Sequence, residues 1–152
     1  MKSLSIWILD YLDSHLYEEI SIDILSDYIG YDKYYIMKIF KNDVGISIKT
    51  YINQQKIINS LKLLEEDSYL LSIALNSGYN SLEYYSEVFS KIMGVSPSIY
   101  RKYLLGICKE EERVIIESSL LLLGEFKSKI DKIRCKKDIN VLAYNNKNKK
   151  CA

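Results

Sequence analysis

The side chains that could carry out metal or acid–base chemistry are few and far apart in this sequence. The thiol and imidazole groups are Cys108, Cys135, Cys151 and a single histidine, His15. Zinc sites and thiol nucleophiles need such groups at short, fixed spacings, and no CxxC pair is present. The sequence also contains no phosphate-binding GxGxxG or Walker loop and no GxSxG nucleophile turn. We therefore predict no enzymatic activity, no bound metal and no cofactor.

The composition is that of an ordinary foldable protein, and its abundance of tyrosine is the unusual feature. The 152 residues include 21 Lys+Arg, 20 Asp+Glu and 14 Tyr, and the net charge is +1. Because nucleic-acid-binding domains are usually basic, this total speaks against such a partner. No apolar run approaches the roughly 18 residues of a membrane span, and no secretion signal is present. We expect a cytoplasmic protein with reduced cysteines and no membrane contact.

The elements that must position these side chains are predicted to be helices. One proline and six glycines among 152 residues favour long helices over a turn-rich β fold. Apolar residues spaced three and four apart predict a first helix over about residues 3–16. Ser21 and Asp32 are good N-caps for the next two helices, which Gly30 separates. We expect Ile24, Leu25 and Tyr28 to share the buried face of the second helix. A helix, a short glycine-containing turn and another helix have the spacing of a helix-turn-helix.

This helix-turn-helix pattern occurs twice. Gly30-Tyr31, Phe40 and Gly45 in the first half correspond to Gly78-Tyr79, Phe89 and Gly94 in the second. A helix over residues 47–65, about 28 Å long, joins the halves. Two recognition helices about 34 Å apart would enter successive major grooves of one DNA duplex. The periodicity alone also allows a plain all-α bundle whose glycines only end helices.

Residues 4–102 resemble the DNA-binding domain of the AraC/XylS family of bacterial transcription regulators. The residues that carry this resemblance are Phe40-Lys41, Gly45, Tyr51-Ile52, Leu63-Leu64, Ile73-Ala74, Gly78-Tyr79-Asn80-Ser81, Phe89 and Gly94-Val95-Ser96-Pro97-Ser98-Ile99-Tyr100-Arg101. The resemblance implies an all-α domain over residues 1–102, with two helix-turn-helix subdomains joined by a long linking helix. It also implies double-stranded promoter DNA and RNA polymerase as partners, and the bacterial nucleoid as the location.

The same resemblance assigns DNA-binding positions on each recognition helix. On the first helix the base-reading positions are Tyr34, Met37 and Lys38. A lysine can donate to guanine, and a tyrosine can pack against a thymine methyl group. The lysines that suit phosphate contacts are Lys33, Lys41, Lys49 and Lys91. Lys56, where many members carry Arg, is expected to serve structure rather than readout.

The second recognition helix departs from the family pattern. Its outward positions are Leu82, Glu83, Ser86 and Glu87. The family commonly has Arg at the position of Glu87 and Lys at that of Ser90. Two carboxylates would be repelled by phosphates, unless a glutamate accepts a hydrogen bond from a cytosine amino group. We therefore expect the first half to be the main reader.

The near-zero total charge is a cancellation between two parts of the chain. Residues 1–102 hold ten basic and 13 acidic residues, a net charge of −3, and residues 103–152 have a net charge of +4. Because binding depends on the charge of one face rather than on the sum, the lysines on and just after the first recognition helix keep DNA binding open.

Residues 103–152 are predicted to form a C-terminal amphipathic helix and a flexible tail. The apolar stripe of the helix is Ile116, Leu120, Leu123, Phe126, Ile130 and Ile133. We expect residues 114–133 to pack on the domain or to form a homodimer. Residues 138–144 read as one short strand and 145–150 as disordered, so this part could also be the start of a truncated domain.

The function predicted from these features is that of a sequence-specific DNA-binding transcription regulator. Its two recognition helices would enter successive major grooves of promoter DNA. The alternative is a protein-interaction module of the same fold that has lost strong DNA binding and modulates another regulator. Glu83, Glu87 and the charge of −3 motivate this alternative.

Overall fold

The computed structural model describes the backbone of residues 3–150 and the side chains of residues 3–135. Within this range the chain forms eight α-helices and no strand, which confirms the all-α prediction. The helices are α1 (Leu4–Ser14), α2 (Ile22–Ile29), α3 (Lys33–Val44), α4 (Ile48–Leu63), α5 (Leu70–Asn76), α6 (Leu82–Met93), α7 (Pro97–Leu104) and α8 (Glu110–Lys150). They form two compact units: unit 1 consists of residues up to 14, 20–48 and from 125 onward, and unit 2 of residues 15–19 and 49–124.

Unit 1 is built on α1, α2 and α3. The predicted caps are confirmed: the Ser21 side chain accepts a hydrogen bond from the Asp23 amide, and the Asp32 side chain accepts from the amides of Tyr34 and Tyr35. Gly30 ends α2 in the left-handed conformation, with φ at 85°. The fully buried apolar side chains of this unit are Ile8, Leu9, Leu12, Leu25, Ile36, Phe40 and Val44.

The predicted buried face of α2 is wrong by one row. Leu25 and Ile29 are buried, whereas Ile24 and Tyr28 are exposed. An eight-residue helix has room for a single pair at i and i+4 on its inner face. The neighbouring row then points outward, and the Tyr28 ring lies against Tyr11 of α1, with ring centroids 5.0 Å apart.

Unit 2 repeats the arrangement with α4 to α7 and a larger core. Ser81 caps α6 by accepting from the Tyr84 amide, and Ser96 caps α7 by accepting from the Ile99 amide. Arg101 donates from Nη2 to the carbonyl oxygens of Glu66 and Ser68, at 3.0 and 2.5 Å. The buried core consists of Ile57, Leu64, Ile73, Ala74, Tyr79, Tyr85, Val88, Phe89, Met93, Val95, Tyr100, Ile116 and Leu123.

Helix α8 follows the repeated elements, and parts of it belong to each unit. Ile116 and Leu123 join the core of unit 2, and Ile130 is buried in unit 1, so the predicted apolar stripe packs on the chain itself. The predicted strand over 138–144 is wrong, because the backbone of this segment is part of α8, which continues through residues 145–150. Helix propagation adds one hydrogen bond per residue, whereas a lone strand has no partner.

Candidate nucleic-acid interface

Helix α3 presents a polar and aromatic face to solvent. Tyr34, Met37 and Lys38 are exposed, while Ile36 and Phe40 of the same helix are fully buried. Positions separated by three and four residues share one side of a helix, so the three predicted base-reading side chains lie together. Lys41, one turn further along, is also exposed. This face can offer hydrogen-bond donors and apolar contacts to a groove.

The first turn of α3 is already engaged by carboxylates. The Nζ of Lys33 lies 3.2 Å from Oδ1 of Asp23 and 5.5 Å from the centroid of the Tyr34 ring. The hydrogen bond with Asp23 raises the pKa of Lys33 above its usual value. Asp32 accepts the amide hydrogens of Tyr34 and Tyr35. Lys33, a predicted phosphate contact, is therefore paired within the unit.

The outward face of α6 is acidic. Glu83 and Glu87 are exposed, whereas Leu82 and Ser86 are half-buried. The Nζ of Lys91 lies 3.2 Å from Oε1 of Glu87, one turn away. An exposed pair of this kind is weak, about 0–1 kcal/mol, so it can be exchanged for a contact with a ligand. The other predicted phosphate-binding lysine of unit 2 is Lys49, which is exposed near the start of α4.

Lys56 of α4 fixes the turn before α6, as expected for a structural position. Its Nζ donates to the carbonyl oxygen of Gly78 at 3.1 Å and lies 5.2 Å from the centroid of the Tyr79 ring. Burial lowers the pKa of Lys56. The Tyr79 hydroxyl donates to Oδ1 of Asn53 at 3.1 Å, and burial raises the pKa of Tyr79. Helix α4 therefore holds the turn that carries the second recognition helix.

Two tyrosines, one in the turn before α3 and one in its first turn, are not predicted as site residues from the sequence. Tyr31 and Tyr35 have exposed fractions of 51% and 46%, and their rings stack with centroids 5.6 Å apart. The internal duplication contains the signal that could have found them. Their counterparts in unit 2 are Tyr79 and Tyr84, whose rings also touch, at 5.7 Å.

Helix α8 contacts the C-terminal end of a recognition helix in each unit. In unit 2, the Ser119 hydroxyl donates to the carbonyl oxygen of Met93 at 3.0 Å. Gly94, which ends α6 with φ at 75°, lies against Ile115. In unit 1, the ammonium group of Lys129 lies beside Gly45, which ends α3. A cation at this end of a helix is favourable.

Metal and membrane chemistry gain no support from the described part of the chain. Within it, no group of three or more His, Cys, Asp or Glu side chains is placed to hold a metal ion. No helix in the same range is both long and apolar enough to cross a membrane.

Comparison with known proteins identifies relatives of this fold. A family model described as a helix-turn-helix domain, of AraC type, matches residues 25–103. The regulatory protein PocR of Salmonella typhimurium is 30% identical over 97 residues, which are 63% of this chain and 32% of PocR. The transcriptional activator AarP of Providencia stuartii is 28% identical over 95 residues, or 62% of this chain and 70% of AarP. The chain thus spans about a third of the length of PocR.

A solved structure supports the same fold. The DNA-binding domain of AdpA, a global transcriptional factor, was determined in complex with a target DNA. It matches 69% of this chain and 96% of its own, with a TM-score of 0.63 and 18% identity. At this identity the likeness shows the fold alone.

Proposed function

The chain belongs to the AraC-type helix-turn-helix family of transcription regulators, and on that premise we propose that it binds double-stranded promoter DNA sequence-specifically. Its activity is regulatory rather than enzymatic, it acts in the cytoplasm at the bacterial nucleoid, and RNA polymerase is its partner at the promoter. Two recognition helices, α3 and α6, enter successive major grooves. The observation that carries this proposal is the exposed row of donors and apolar groups along α3, in a family of DNA-binding regulators.

Helix α3 is the main reader in this proposal. Lys38 donates a hydrogen bond to a guanine base or to a phosphate, while Tyr34 and Met37 pack against thymine methyl groups. All three side chains are exposed on one face of the helix. Lys41 is exposed beside them and contacts a phosphate, which positions the helix without reading sequence. Lys33 contributes less to phosphate binding, because the carboxylate of Asp23 partly offsets its positive charge.

Helix α6 reads bases by accepting rather than donating hydrogen bonds. Glu83 and Glu87 accept from cytosine amino groups, while Leu82 and Ser86 line the groove floor. Lys91 exchanges its partner Glu87 for a phosphate, and Lys49 makes a further phosphate contact. Since two carboxylates face the duplex, α6 adds sequence preference but little affinity.

A salt titration on duplex DNA tests this proposal. The probe is the tightest-binding duplex selected from a random library of about 30 base pairs, roughly three helical turns. Lys38→Ala should cost about 1–3 kcal/mol on the selected duplex and relax the preference at one base pair. Lys62→Ala, which removes an exposed lysine of α4, is the matched control and should leave binding unchanged. Absence of any duplex binding at low salt would reject the function.

The second candidate is a protein-interaction module that keeps the fold and modulates another regulator. The acidic outward face of α6, with Glu83 and Glu87 exposed, favours this alternative. Glu87→Arg separates the two functions. If α6 faces DNA, the substitution should raise non-specific affinity, because it removes a repulsive charge and adds a phosphate contact. An unchanged affinity would place α6 away from the duplex.

The DNA-binding domain of this proposal covers residues 1–102, and residues 103–152 are an appended part that forms a homodimer through residues 114–133. Val114, Leu121 and Leu122 support the dimer, because these apolar side chains of α8 are exposed. A start of a further domain in residues 103–152 is the alternative role. Leu121→Glu combined with Leu122→Glu should shift a dimer to monomer in sedimentation experiments. A wild-type chain that sediments as a monomer at high concentration would reject the homodimer.

A further inference from the structure

We propose that Tyr31 and Tyr35 form a phosphate-binding pair, which donates its two phenolic hydroxyls to the DNA backbone beside the base-reading face of α3. This inference rests on the proposed DNA-binding function and deepens it. Tyr31 lies in the turn just before α3, and Tyr35 lies in the first turn of α3, next to Tyr34 and about one turn before Lys38. Duplex DNA that meets the α3 face therefore brings its backbone close to these two rings.

At this end of α3 the first amide hydrogens already have an acceptor, and the nearest lysine is held in an exposed, weak ion pair. Free amide hydrogens at a helix N-terminus commonly bind phosphate, but here Asp32 accepts those of Tyr34 and Tyr35, at 3.0 and 3.3 Å. Lys33, the nearest cation, lies 3.2 Å from the carboxylate of Asp23. The exposed uncharged donors at this turn are the hydroxyls of Tyr31, Tyr34 and Tyr35.

The pair is held in a defined geometry. The two rings stack at a centroid distance of 5.6 Å and an interplanar angle of 27°. The carbonyl oxygen of Tyr31 accepts a hydrogen bond from the Ser26 hydroxyl at 2.5 Å, which fixes the turn. A tyrosine has only two side-chain torsions to order, so a stacked pair loses little conformational entropy when it binds. Both rings are about half exposed and can meet a partner without a rearrangement.

The duplicated half of the chain shows what the same tyrosine does when its role is structural. Tyr79 is the counterpart of Tyr31, but it is 4% exposed and its hydroxyl donates to Asn53. Lys56 also lies against its ring. Among the described residues, no hydrogen bond engages the hydroxyls of Tyr31 and Tyr35. Stability therefore explains Tyr79, whereas a ligand with acceptor oxygens explains the exposed pair.

Neutral anchors change how DNA binding depends on salt. Each phosphate neutralised by a lysine releases counterions and adds about −0.9 to the slope of log affinity against log salt. A phenolic hydroxyl donates to a phosphate without neutralising it, so it adds affinity and leaves that slope unchanged. Residues 1–102, with a net charge of −3, can bind DNA in this way without a basic surface.

The test is a set of phenylalanine substitutions that keep the rings and remove the hydroxyls. The probes are the selected duplex and a random duplex of the same length, each titrated at several salt concentrations. Tyr31→Phe and Tyr35→Phe should each weaken binding about tenfold on both probes, as expected for a lost hydrogen bond to a charged group. The salt slope should not change. Lys41→Ala should instead reduce the magnitude of the slope by about 0.9.

A matched control is Tyr28→Phe, because Tyr28 is 72% exposed in the same unit but lies against Tyr11. It should bind as the wild type does, and thermal melts should show all variants folded. Unchanged affinity of the double variant Tyr31→Phe/Tyr35→Phe would overturn the inference while leaving DNA binding intact. A loss confined to the selected duplex would also overturn it, because the pair would then read bases. A wild-type chain that binds neither duplex would reject the proposed function itself.

Discussion

Gly94→Ala tests whether α8 packs on the C-terminal end of α6. Gly94 has φ at 75°, and an alanine in this left-handed conformation costs about 1–2 kcal/mol. Its Cβ would also lie 2.5 Å from Cγ2 of Ile115. This methyl group is attached directly to Cβ, so it can move only with the side-chain rotamer or with α8 itself. Overpacking of this kind adds about 1–3 kcal/mol, which brings the expected loss to about 2–5 kcal/mol.

Two other glycines are matched controls for the backbone part of this loss. Gly106 has φ at 73° and no atom within 4 Å of its ideal Cβ position, so Gly106→Ala should cost only about 1–2 kcal/mol. At Gly45 the Cβ would lie 2.5 Å from Nζ of Lys129. This atom is the end of a flexible side chain and can swing away. Gly45→Ala should therefore resemble Gly106→Ala despite the equal contact distance.

Urea denaturation followed by far-UV circular dichroism measures these losses. Fluorescence of Trp7, the single tryptophan, reports on unit 1 and so separates Gly45→Ala from the two variants in unit 2. Combining Gly94→Ala with Ile115→Ala should recover about 1–3 kcal/mol relative to the sum of the single changes, because the clashing methyl group is removed. Equal losses for Gly94→Ala and Gly106→Ala would refute the packing of α8 on α6.

Three further predictions concern the core of unit 2. Burial raises the pKa of Tyr85 to about 12 from its usual 10, so the contribution of Tyr85 to stability is complete below pH 10 and is lost as the pH rises toward 12. Tyr85→Phe should flatten this decline when urea denaturation is measured at several pH values. Arg101→Lys should lower stability by about 1–3 kcal/mol, because a lysine cannot donate from one planar group to the carbonyl oxygens of Glu66 and Ser68. A loss below about 0.5 kcal/mol, which is typical of ordinary surface substitutions, would contradict this reason. Ile116→Ala should cost about 2–5 kcal/mol in the same assay, while Ile107→Ala, at an exposed position before α8, should cost less than about 0.5 kcal/mol.

The capped helices are the part of the fold that the sequence predicts best. Ser21 and Asp32 both cap the helices assigned to them, because a cap depends on residues only two or three positions away. Periodicity was less informative for α2. Its eight residues are too few to decide between two adjacent apolar rows, and packing against the neighbouring helices selects Leu25 and Ile29.

The candidate site could be predicted only where a family pattern applies. The positions of Tyr34 and Lys38 follow from that pattern, and both side chains are exposed on α3. The internal duplication marks Tyr31 and Tyr35 only by their counterparts, and the stacking and exposure of the pair depend on how the turn folds. The pairing of Lys33 with Asp23, ten positions earlier in the chain, also depends on the tertiary contact between α2 and α3.

The contacts of α8 show that the segment shared with the family and the packed core do not end at the same residue. The family match ends at residue 103, whereas Ile116 and Leu123 complete the core of unit 2. A fragment ending at the homology boundary would uncover this core and leave the Met93 carbonyl without the hydroxyl of Ser119. In this chain the core of a family domain is thus completed by residues that lie outside the segment shared with the family.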